Sequence, residues 1–245
     1  MSTTPQPSPT GPSWHRGPLA SFDLETTGLA VETDRIVTGA LIRSSGETLR
    51  WLSDGDGVEI PAAASAVHGI TTEYARAHGR PAKQVVEEIA DAVASELGAN
   101  RAALVVMNAP FDLSMLDAEC RRYGVASLAD RLGAVAPVVD PLVLDRAADR
   151  YRRGRRNLEA LAAHYGVTLT DAHTADADAQ AALDVARAIA ERYAQIQVPA
   201  EVLHGWQVQW HAAWAANFQA SLRRKGETDA VIDGSWPLRP VGGAA

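Results

Sequence analysis

The sequence has a single cysteine, no long apolar run and no excess of basic charge. Cys120 alone cannot form an internal disulfide, which fits a reducing compartment. No apolar segment approaches the ~20 residues that a membrane-spanning helix requires, and the N-terminal segment lacks the basic and apolar regions of a signal peptide. We therefore expect a soluble cytoplasmic protein with no membrane partner.

Acidic residues outnumber basic ones, with 30 Asp and Glu against 23 Lys and Arg and a net charge of −7. Proteins that coat duplex nucleic acid neutralise its phosphates with a basic surface, so this composition argues against such a role. It does not argue against a nuclease, because carboxylates that hold divalent metal ions are themselves acidic. Apolar residues make up 47% of the 245 residues, which is enough for a sizeable core.

The order of the apolar segments predicts a layered α/β domain. Strands are predicted at 19–24, 35–42, 47–52, 102–107 and 135–140, with a hairpin turn at 44–46. Helices are predicted at 83–97, 111–123, 157–165 and 175–193. Strands that come first and then alternate with helices favour a mixed sheet flanked by helices.

Two segments differ from this core in composition. Residues 1–17 are rich in proline, serine and threonine, and we expect a disordered tail. Residues 198–245 contain a predicted helix at 204–225 and form a Trp-rich helical extension with a C-terminal tail. Aromatic residues recur every fourth position of that helix, at Trp206, Trp210, Trp214 and Phe218. Such a stripe drifts by ~40° per step, so we expect it to pack on the core; the alternative is a docking face for a partner.

Asp23 and Glu25 alternate in the segment FDLETTGL, at positions 22–29. Residues two apart on a strand face the same side, so both carboxylates would project from one face. Two such groups repel each other unless a cation lies between them, and oxygen ligands suit Mg²⁺ or Mn²⁺. The alternative is a polar turn in which neither residue binds metal.

Two later segments carry further candidates. Asp112 lies in NAPFD, directly after a predicted strand, where α/β proteins commonly place their sites. Asp178 lies in HTADAD, five residues after His173, and a histidine with a pKa near ~6.5 suits proton removal from water. The alternative in both segments is an ordinary helix N-terminus, where acidic residues are favoured; we adopt that interpretation for Asp176.

In this order, FDLETTG, NAPFD and HTADAD resemble the three exonuclease motifs of the DEDDh-type (DnaQ-like) 3′-5′ exonuclease family. That family includes the epsilon proofreading subunit of bacterial DNA polymerase III, RNase T and oligoribonuclease. The resemblance covers roughly residues 18–195, so we expect an exonuclease domain at 18–197 with an RNase H-like fold and a mixed five-stranded sheet. The sequence departs from the family at Met107, where His is common, and at Pro141, where Thr is common; we expect the adjacent Asp140 to be structural.

The resemblance also implies roles for individual residues. Asp23, Glu25, Asp112 and Asp178 would hold two divalent ions, Mg²⁺ or Mn²⁺, with Asp112 assisting through water, and His173 would deprotonate the attacking water. The partner would be the 3′ end of a single-stranded nucleic acid, with DNA favoured, and the products would be nucleoside 5′-monophosphates. The expected substrate-binding residues are Thr26, Thr27, Gly28, Leu29, His68, Ile70, Asn108 and Phe111.

Six arginines, the densest basic cluster, precede the third motif: Arg146, Arg150, Arg152, Arg153, Arg155 and Arg156. We expect them to steer the phosphate backbone; the alternative is a solvated loop paired with Asp145, Asp149 and Glu159.

Two alternative functions stay open. The chain could be a proofreading or repair subunit that acts mainly by binding a polymerase-like partner, or that forms a homodimer, through the Trp-rich helix. It could also be an RNA exonuclease similar to oligoribonuclease.

Overall fold

The computed structural model describes residues 11–170 and 172–240. Part of the expected N-terminal tail belongs to the folded domain. Trp14–Arg16 form a turn of 3₁₀-helix, Trp14 is 3% exposed, and its indole Nε1 donates to the carbonyl of Ile196 at 2.9 Å. The expectation of disorder is therefore wrong for this turn, because a large aromatic ring with a bonded N–H is buried there. Residues 1–10 lie outside the described residues.

Five strands form one mixed sheet in the order β3-β2-β1-β4-β5. The central β1 pairs antiparallel with β2, which pairs antiparallel with β3, and the other side of β1 is extended by parallel β4 and β5. This is the mixed five-stranded sheet expected from the sequence. The strand bounds are Leu19–Thr26, Ile36–Ile42, Thr48–Leu52, Ala103–Val105 and Val138–Val139.

Helices cover both faces of the sheet in the described part of the chain. Four of them, α1, α2, α5 and α6, are absent from our sequence-based prediction. The helix α6 begins with Asp140 as its N-cap and Pro141 in its first turn, a favoured start that we had assigned to the end of a strand. The helices are α1 (Ala62–His68), α2 (Thr72–His78), α3 (Ala82–Leu97), α4 (Ala109–Tyr123), α5 (Leu128–Leu132), α6 (Pro141–Ala148), α7 (Leu158–Tyr165), α8 (Ala175–Arg192) and α9 (Ala200–Arg224).

The core has two halves, one on each face of the sheet. On one face, Phe22 and Leu24 of β1 pack with the apolar sides of α3 and α4. On the other face, the alanine-rich α8 lies directly on β1 and β2. Small side chains permit a close approach there, since the Ser21 hydroxyl on β1 donates to the Ala179 carbonyl at 2.7 Å.

The C-terminal helix α9 covers the edge strand β5 and its neighbour α6. Gln207 is fully buried, donates to the Val138 carbonyl at 2.9 Å and accepts from the Asp140 amide at 2.7 Å. His204 Nδ1 accepts from the Val138 amide. These side chains satisfy backbone groups that an edge strand leaves unpaired, so the extension completes the sheet. None of the helices in the described residues is both long and apolar enough to cross a membrane.

The aromatic stripe of α9 is only partly in the core. Trp206 and Trp210 are half-buried and pack against core residues, as expected, but Phe218 is 42% exposed. The buried line of the helix lies one position further along the sequence, at Leu203, Gln207, His211 and Ala215. The expectation of core packing therefore holds for the N-terminal half of the stripe and is wrong for Phe218.

Candidate active site

Three carboxylates from two elements meet at one end of the sheet. Asp23 and Glu25 project from the same face of β1, two residues apart, where Phe22 and Leu24 fill the opposite face. Asp178 comes from the first turn of α8, which packs across β1. One carboxylate oxygen from each of the three lies within 4.8 Å of the others. Among the described residues, this is the group of acidic side chains with the spacing of a metal site.

The electrostatics of this cluster favour a bound cation. Burial and, after it, the charge of the neighbouring Asp178 together raise the pKa of Glu25 to about 7. Burial, followed by the charges of Asp112 and Asp178, holds the pKa of Asp23 well above its ordinary range. Ionisation of these neighbouring carboxylates is unfavourable without a cation and becomes favourable when a divalent cation neutralises their charge. A donor set made only of oxygen atoms suits Mg²⁺ or Mn²⁺.

Asp112 lies beside the three-carboxylate cluster. It is in the first turn of α4, is 4% exposed, and its Oδ1 accepts from the Leu24 amide of β1 at 3.1 Å. This bond ties α4 to the strand between Asp23 and Glu25. Burial raises the pKa of Asp112 strongly, although the backbone bond opposes the shift. The structure thus brings all four predicted carboxylates to one end of the sheet, with three in mutual ligand range.

Asp140 positions the start of α4. Its carboxylate is fully buried and accepts from the amides of Asn108 and Ala109, both at 3.0 Å. It also caps α6 through the Leu142 amide at 2.9 Å. Asn108 has a left-handed conformation, with φ 58°, so these bonds hold an uncommon turn directly before Asp112. The structural role expected of Asp140 agrees with this position.

His173 lies at the rim of the cluster. Its backbone amide donates to the Asp178 carboxylate at 3.3 Å, and its φ of 71° is left-handed. The imidazole Nε2 lies 3.4 Å from Glu159 Oε1, and both side chains are about half-exposed. The imidazole is therefore open to solvent and in contact with Glu159. Sequence reasoning did not connect Glu159 with His173, because the contact depends on how α7 packs against α8.

The turn after the first motif is held by Asp34. The Thr27 hydroxyl donates to Asp34 Oδ1 at 3.0 Å and the Ala30 amide donates to Oδ2 at 2.7 Å. A Cβ on Gly28 would lie 2.5 Å from Asp34 Oδ2, so only glycine fits this turn without rearrangement. The turn presents Leu29, which is 81% exposed, while the Thr26 hydroxyl is used internally on the Gly28 carbonyl.

The other predicted wall residues fall into two groups. His68 is buried at the end of α1, where its Nδ1 accepts from the Ile70 amide at 3.2 Å, and Ile70 packs on a small apolar cluster. Burial lowers the pKa of His68, and the backbone of nearby Thr26 works in the opposite direction. Asn108 is exposed at the start of α4, and Phe111 is half-buried one turn further on.

Two of the six arginines are structural. Asp145 is fully buried, and its carboxylate binds Arg152 Nε at 3.0 Å and pairs with Arg156. The expectation that all six steer phosphates is therefore wrong for this pair, since a buried carboxylate requires cationic partners. Arg150, Arg153 and Arg155 are exposed, and none of them has a carboxylate within ion-pair distance in the described residues. Asp176 also has a structural partner, Arg50, at 2.7 Å.

The polymerase and exonuclease relatives that the chain resembles are longer than it is. The chain is 27% identical to the PolC-type DNA polymerase III of Lacticaseibacillus paracasei over 161 residues, which is 65% of this chain and 10% of the polymerase. A solved exonuclease I aligns with a TM-score of 0.65 and 20% identity, over 89% of this chain and 46% of that one. Exonuclease I of Methylocaldum szegediense aligns with a TM-score of 0.61 and 22% identity, over 73% and 41%.

The exonuclease I structures share the mixed five-stranded sheet and flanking helices found here, which confirms the RNase H-like fold. The similarity at this level of identity concerns the fold, and the chain spans less than half the length of these proteins. A family match extends over most of the domain. Residues 21–186, which include all three motifs, match the family described as exonuclease, RNase T. The chain therefore belongs to this exonuclease family, and the resemblance to DnaQ-like exonucleases inferred from its three motifs is confirmed.

Proposed function

We propose that this protein hydrolyses single-stranded DNA from the 3′ end and releases nucleoside 5′-monophosphates, with a DEDDh-type site. The observation that carries the proposal is the convergence of Asp23, Glu25 and Asp178, with one oxygen of each within 4.8 Å, inside the region that matches an exonuclease family. Asp112 and His173 complete the site at its borders.

The donor set fits divalent cations. Asp23, Glu25 and Asp178 would hold one ion, and Asp23 would share a second ion with Asp112 assisting through water. When bound, two such ions would lower the pKa of the attacking water and stabilise the charge on the leaving oxygen. The raised pKa values of Asp23 and Glu25 support this assignment, because a bound cation would offset both the burial and the repulsion that raise them.

His173 is the proposed general base. Its exposed imidazole would accept the proton of the attacking water, and its backbone bond to Asp178 keeps it beside the carboxylates. A proton acceptor of this type accelerates hydrolysis by typically ~10²–10⁴-fold. Glu159 Oε1 lies 3.4 Å from Nε2 and would orient the imidazole.

The rim of the site would bind the terminal nucleotide. Thr26, Thr27 and Gly28 form a rigid turn held by Asp34, so its backbone groups are preorganised. The exposed Leu29 would wedge against a base. The remaining proposed contacts with the nucleotide are those of His68, Ile70, Asn108 and Phe111.

The test uses 5′-labelled single-stranded DNA and RNA with Mg²⁺, Mn²⁺ or EDTA. We expect a ladder that shortens from the 3′ end in DNA, depends on metal, and disappears in Asp178→Ala. Asp184→Ala, on the same helix but outside the cluster, is the matched control and should retain activity. Immediate release of the labelled terminal nucleotide would instead indicate 5′-3′ polarity, and faster loss of RNA would contradict the preference for DNA.

A second proposal concerns a partner. The similarity to a segment of a PolC-type polymerase supports association with a polymerase-like protein, in which proofreading would be the main role. Activity on a mismatched primer terminus should then rise at least tenfold when a bacterial replicative polymerase is added. If the isolated chain is fully active on long substrates and the polymerase causes no such increase, this proposal is contradicted. Full activity on two-nucleotide substrates would instead favour an oligoribonuclease-like role.

A further inference from the structure

A groove of about 760 Å³ lies between α6 and α9, outside the carboxylate cluster. Its walls come from the C-terminal half of α6, the following loop, and the second half of the aromatic stripe on α9. None of the residues that line it is acidic, whereas three are arginines: Arg146, Arg150 and Arg156. In a chain with a net charge of −7, such a concentration of positive charge favours an anionic ligand.

The cationic groups of the groove are incompletely neutralised. Arg156 pairs with Asp145, but in the described residues no carboxylate lies within ion-pair distance of Arg146 or Arg150. The Arg146 guanidinium instead lies 3.7 Å from the centre of the Trp214 ring. Burial lowers the pKa of Arg146 to about 10, because desolvation disfavours its charged form. A ligand phosphate would supply the missing negative charge.

Flat aromatic surfaces lie next to these cations. Trp214 and Phe218 stack with ring centres 5.5 Å apart and planes at 16°, and Phe218 is 42% exposed. With Trp210 the stripe extends over eight residues of helix, or ~12 Å. That length matches about three stacked nucleotides at ~3.4 Å each. A nucleic-acid strand alternates phosphates with flat bases, so it can contact both the arginines and the aromatic rings. An acidic peptide would contact only the arginines.

The groove adjoins the active site along the chain. Arg156 lines the groove, and Glu159, three residues later, contacts His173. Three residues of chain span at most ~11 Å. The intervening loop carries the exposed Arg153 and Arg155. A strand leaving the site would therefore pass the exposed Arg153 and Arg155 before it reaches the aromatic rings.

We infer that the groove between α6 and α9 binds the single-stranded nucleic acid upstream of the nucleotide being removed. Phosphates contact Arg146 and Arg150, and a base stacks on the exposed ring of Phe218, which is backed by Trp214. This inference rests on the proposed function for its orientation, with the 3′ end in the carboxylate cluster. It adds a second binding region that makes affinity depend on the length of the strand.

The test measures binding by the full chain in EDTA, which prevents hydrolysis, with labelled oligothymidylates of three and twelve nucleotides. Arg150→Gln combined with Phe218→Ala removes one exposed cation and one exposed ring. We expect the Kd for the 12-mer to rise at least about fivefold, the lower end for loss of one stacking aromatic, and the Kd for the 3-mer to change less than about twofold. The slope of log affinity against log salt concentration for the 12-mer should decrease by about one, which corresponds to the loss of one phosphate contact.

Arg187→Gln, an exposed arginine of α8 outside the groove, is the matched control and should bind both strands as the wild type does. Arg150→Gln alone should raise the Kd for the 12-mer by a smaller factor. This single variant shows whether the effect of the double variant comes from a folding defect. Unchanged affinity and salt dependence for the 12-mer in the groove variants would overturn the inference. So would tight binding of an Asp- and Phe-rich peptide that the variants lose while they retain the 12-mer.

Binding and hydrolysis fail separately. If the affinity of the wild type increases with strand length and the groove variants lose this increase, the groove inference holds. If the same wild type produces no ladder with any metal, the proposed hydrolysis is wrong. If the ladder appears while the groove variants bind the 12-mer normally, the reverse is true.

Discussion

Glu25 provides a direct test of the electrostatics of the site. Its pKa is raised to about 7 by burial and by Asp178, from an ordinary value of 4.5. A group with a raised pKa in the folded state stabilises the fold at low pH and loses that contribution as the pH rises through the folded pKa. In metal-free protein, the free energy of unfolding should therefore decrease between about pH 4.5 and pH 7 and level off above. Glu25→Gln should remove the part of this decrease that Glu25 contributes, while the buried Asp23 and Asp112 keep theirs.

The structure sets the size of the effect. The cluster oxygens lie no more than 4.8 Å apart. At that separation, two full charges repel by about 3.5 kcal/mol at an effective dielectric constant of ~20 and by about 0.9 kcal/mol in water. The pKa change corresponds to an upper value of about 3.4 kcal/mol. Because Glu25 is only half-buried, solvent screening reduces this, and we expect Glu25→Gln to be more stable by about 1–2 kcal/mol at pH 8. The melting temperature should then rise by about 2–8 °C.

The assay is thermal and urea denaturation at pH 5.5 and pH 8, in EDTA and with saturating Mn²⁺. In EDTA the gain should be largest at pH 8 and smaller at pH 5.5, which lies between the ordinary pKa of 4.5 and the folded pKa of about 7 for Glu25. Mn²⁺ should stabilise the wild type at pH 8 more than the variant. Glu59→Gln, which neutralises an exposed glutamate outside the cluster, should change neither pH dependence nor metal response. A variant no more stable than the wild type at pH 8 in EDTA would refute the raised pKa of Glu25 that supports the metal site.

Three further substitutions test other parts of the site. Asp145→Ala leaves two arginines without their carboxylate and should lower the free energy of unfolding by about 3–5 kcal/mol in urea titrations, whereas Asp184→Ala should cost under about 1 kcal/mol. Gly28→Ala places a Cβ 2.5 Å from Asp34 Oδ2, so steady-state assays should give a higher KM for single-stranded DNA; an unchanged KM would separate this turn from the substrate. His173→Ala should reduce kcat by ~10²–10⁴-fold while the Mn²⁺-induced thermal shift persists, and loss of that shift would indicate a structural role instead.

The catalytic carboxylates can be predicted from the sequence because their placement depends on local periodicity. Asp23 and Glu25 share a face since side chains alternate along a strand, and Phe22 and Leu24 mark the opposite face as buried. Asp178 follows from the start of a helix whose alanines permit close contact with the sheet. The order of the motifs then identifies the family. Each of these inferences needs only neighbours in sequence.

Other features depend on contacts between residues that are distant in sequence, and local sequence patterns therefore do not predict them. Arg152 and Arg156 differ from Arg150 only because Asp145 faces them from α6. The buried line of α9 is displaced from its tryptophans because Gln207 satisfies the backbone of the edge strand. Helical periodicity identifies a face by its apolar residues, and here the polar Gln207 is as fully buried as Leu203. Trp14 is buried in spite of its proline-rich surroundings because Ile196 accepts its N–H.

The C-terminal extension contributes to the geometry of the active site. Gln207 of α9 accepts from the Asp140 amide, and the Trp236 indole Nε1 lies 3.3 Å from Asp140 Oδ2 as a donor. The same carboxylate holds the turn at Asn108 that begins α4, and α4 carries Asp112 to the cluster. Since a buried carboxylate that loses donors is destabilised, changes in the packing of α9 should be transmitted to Asp112 through Asp140. The helix that we infer to bind the upstream strand is therefore connected by hydrogen bonds to the carboxylates that would cleave it.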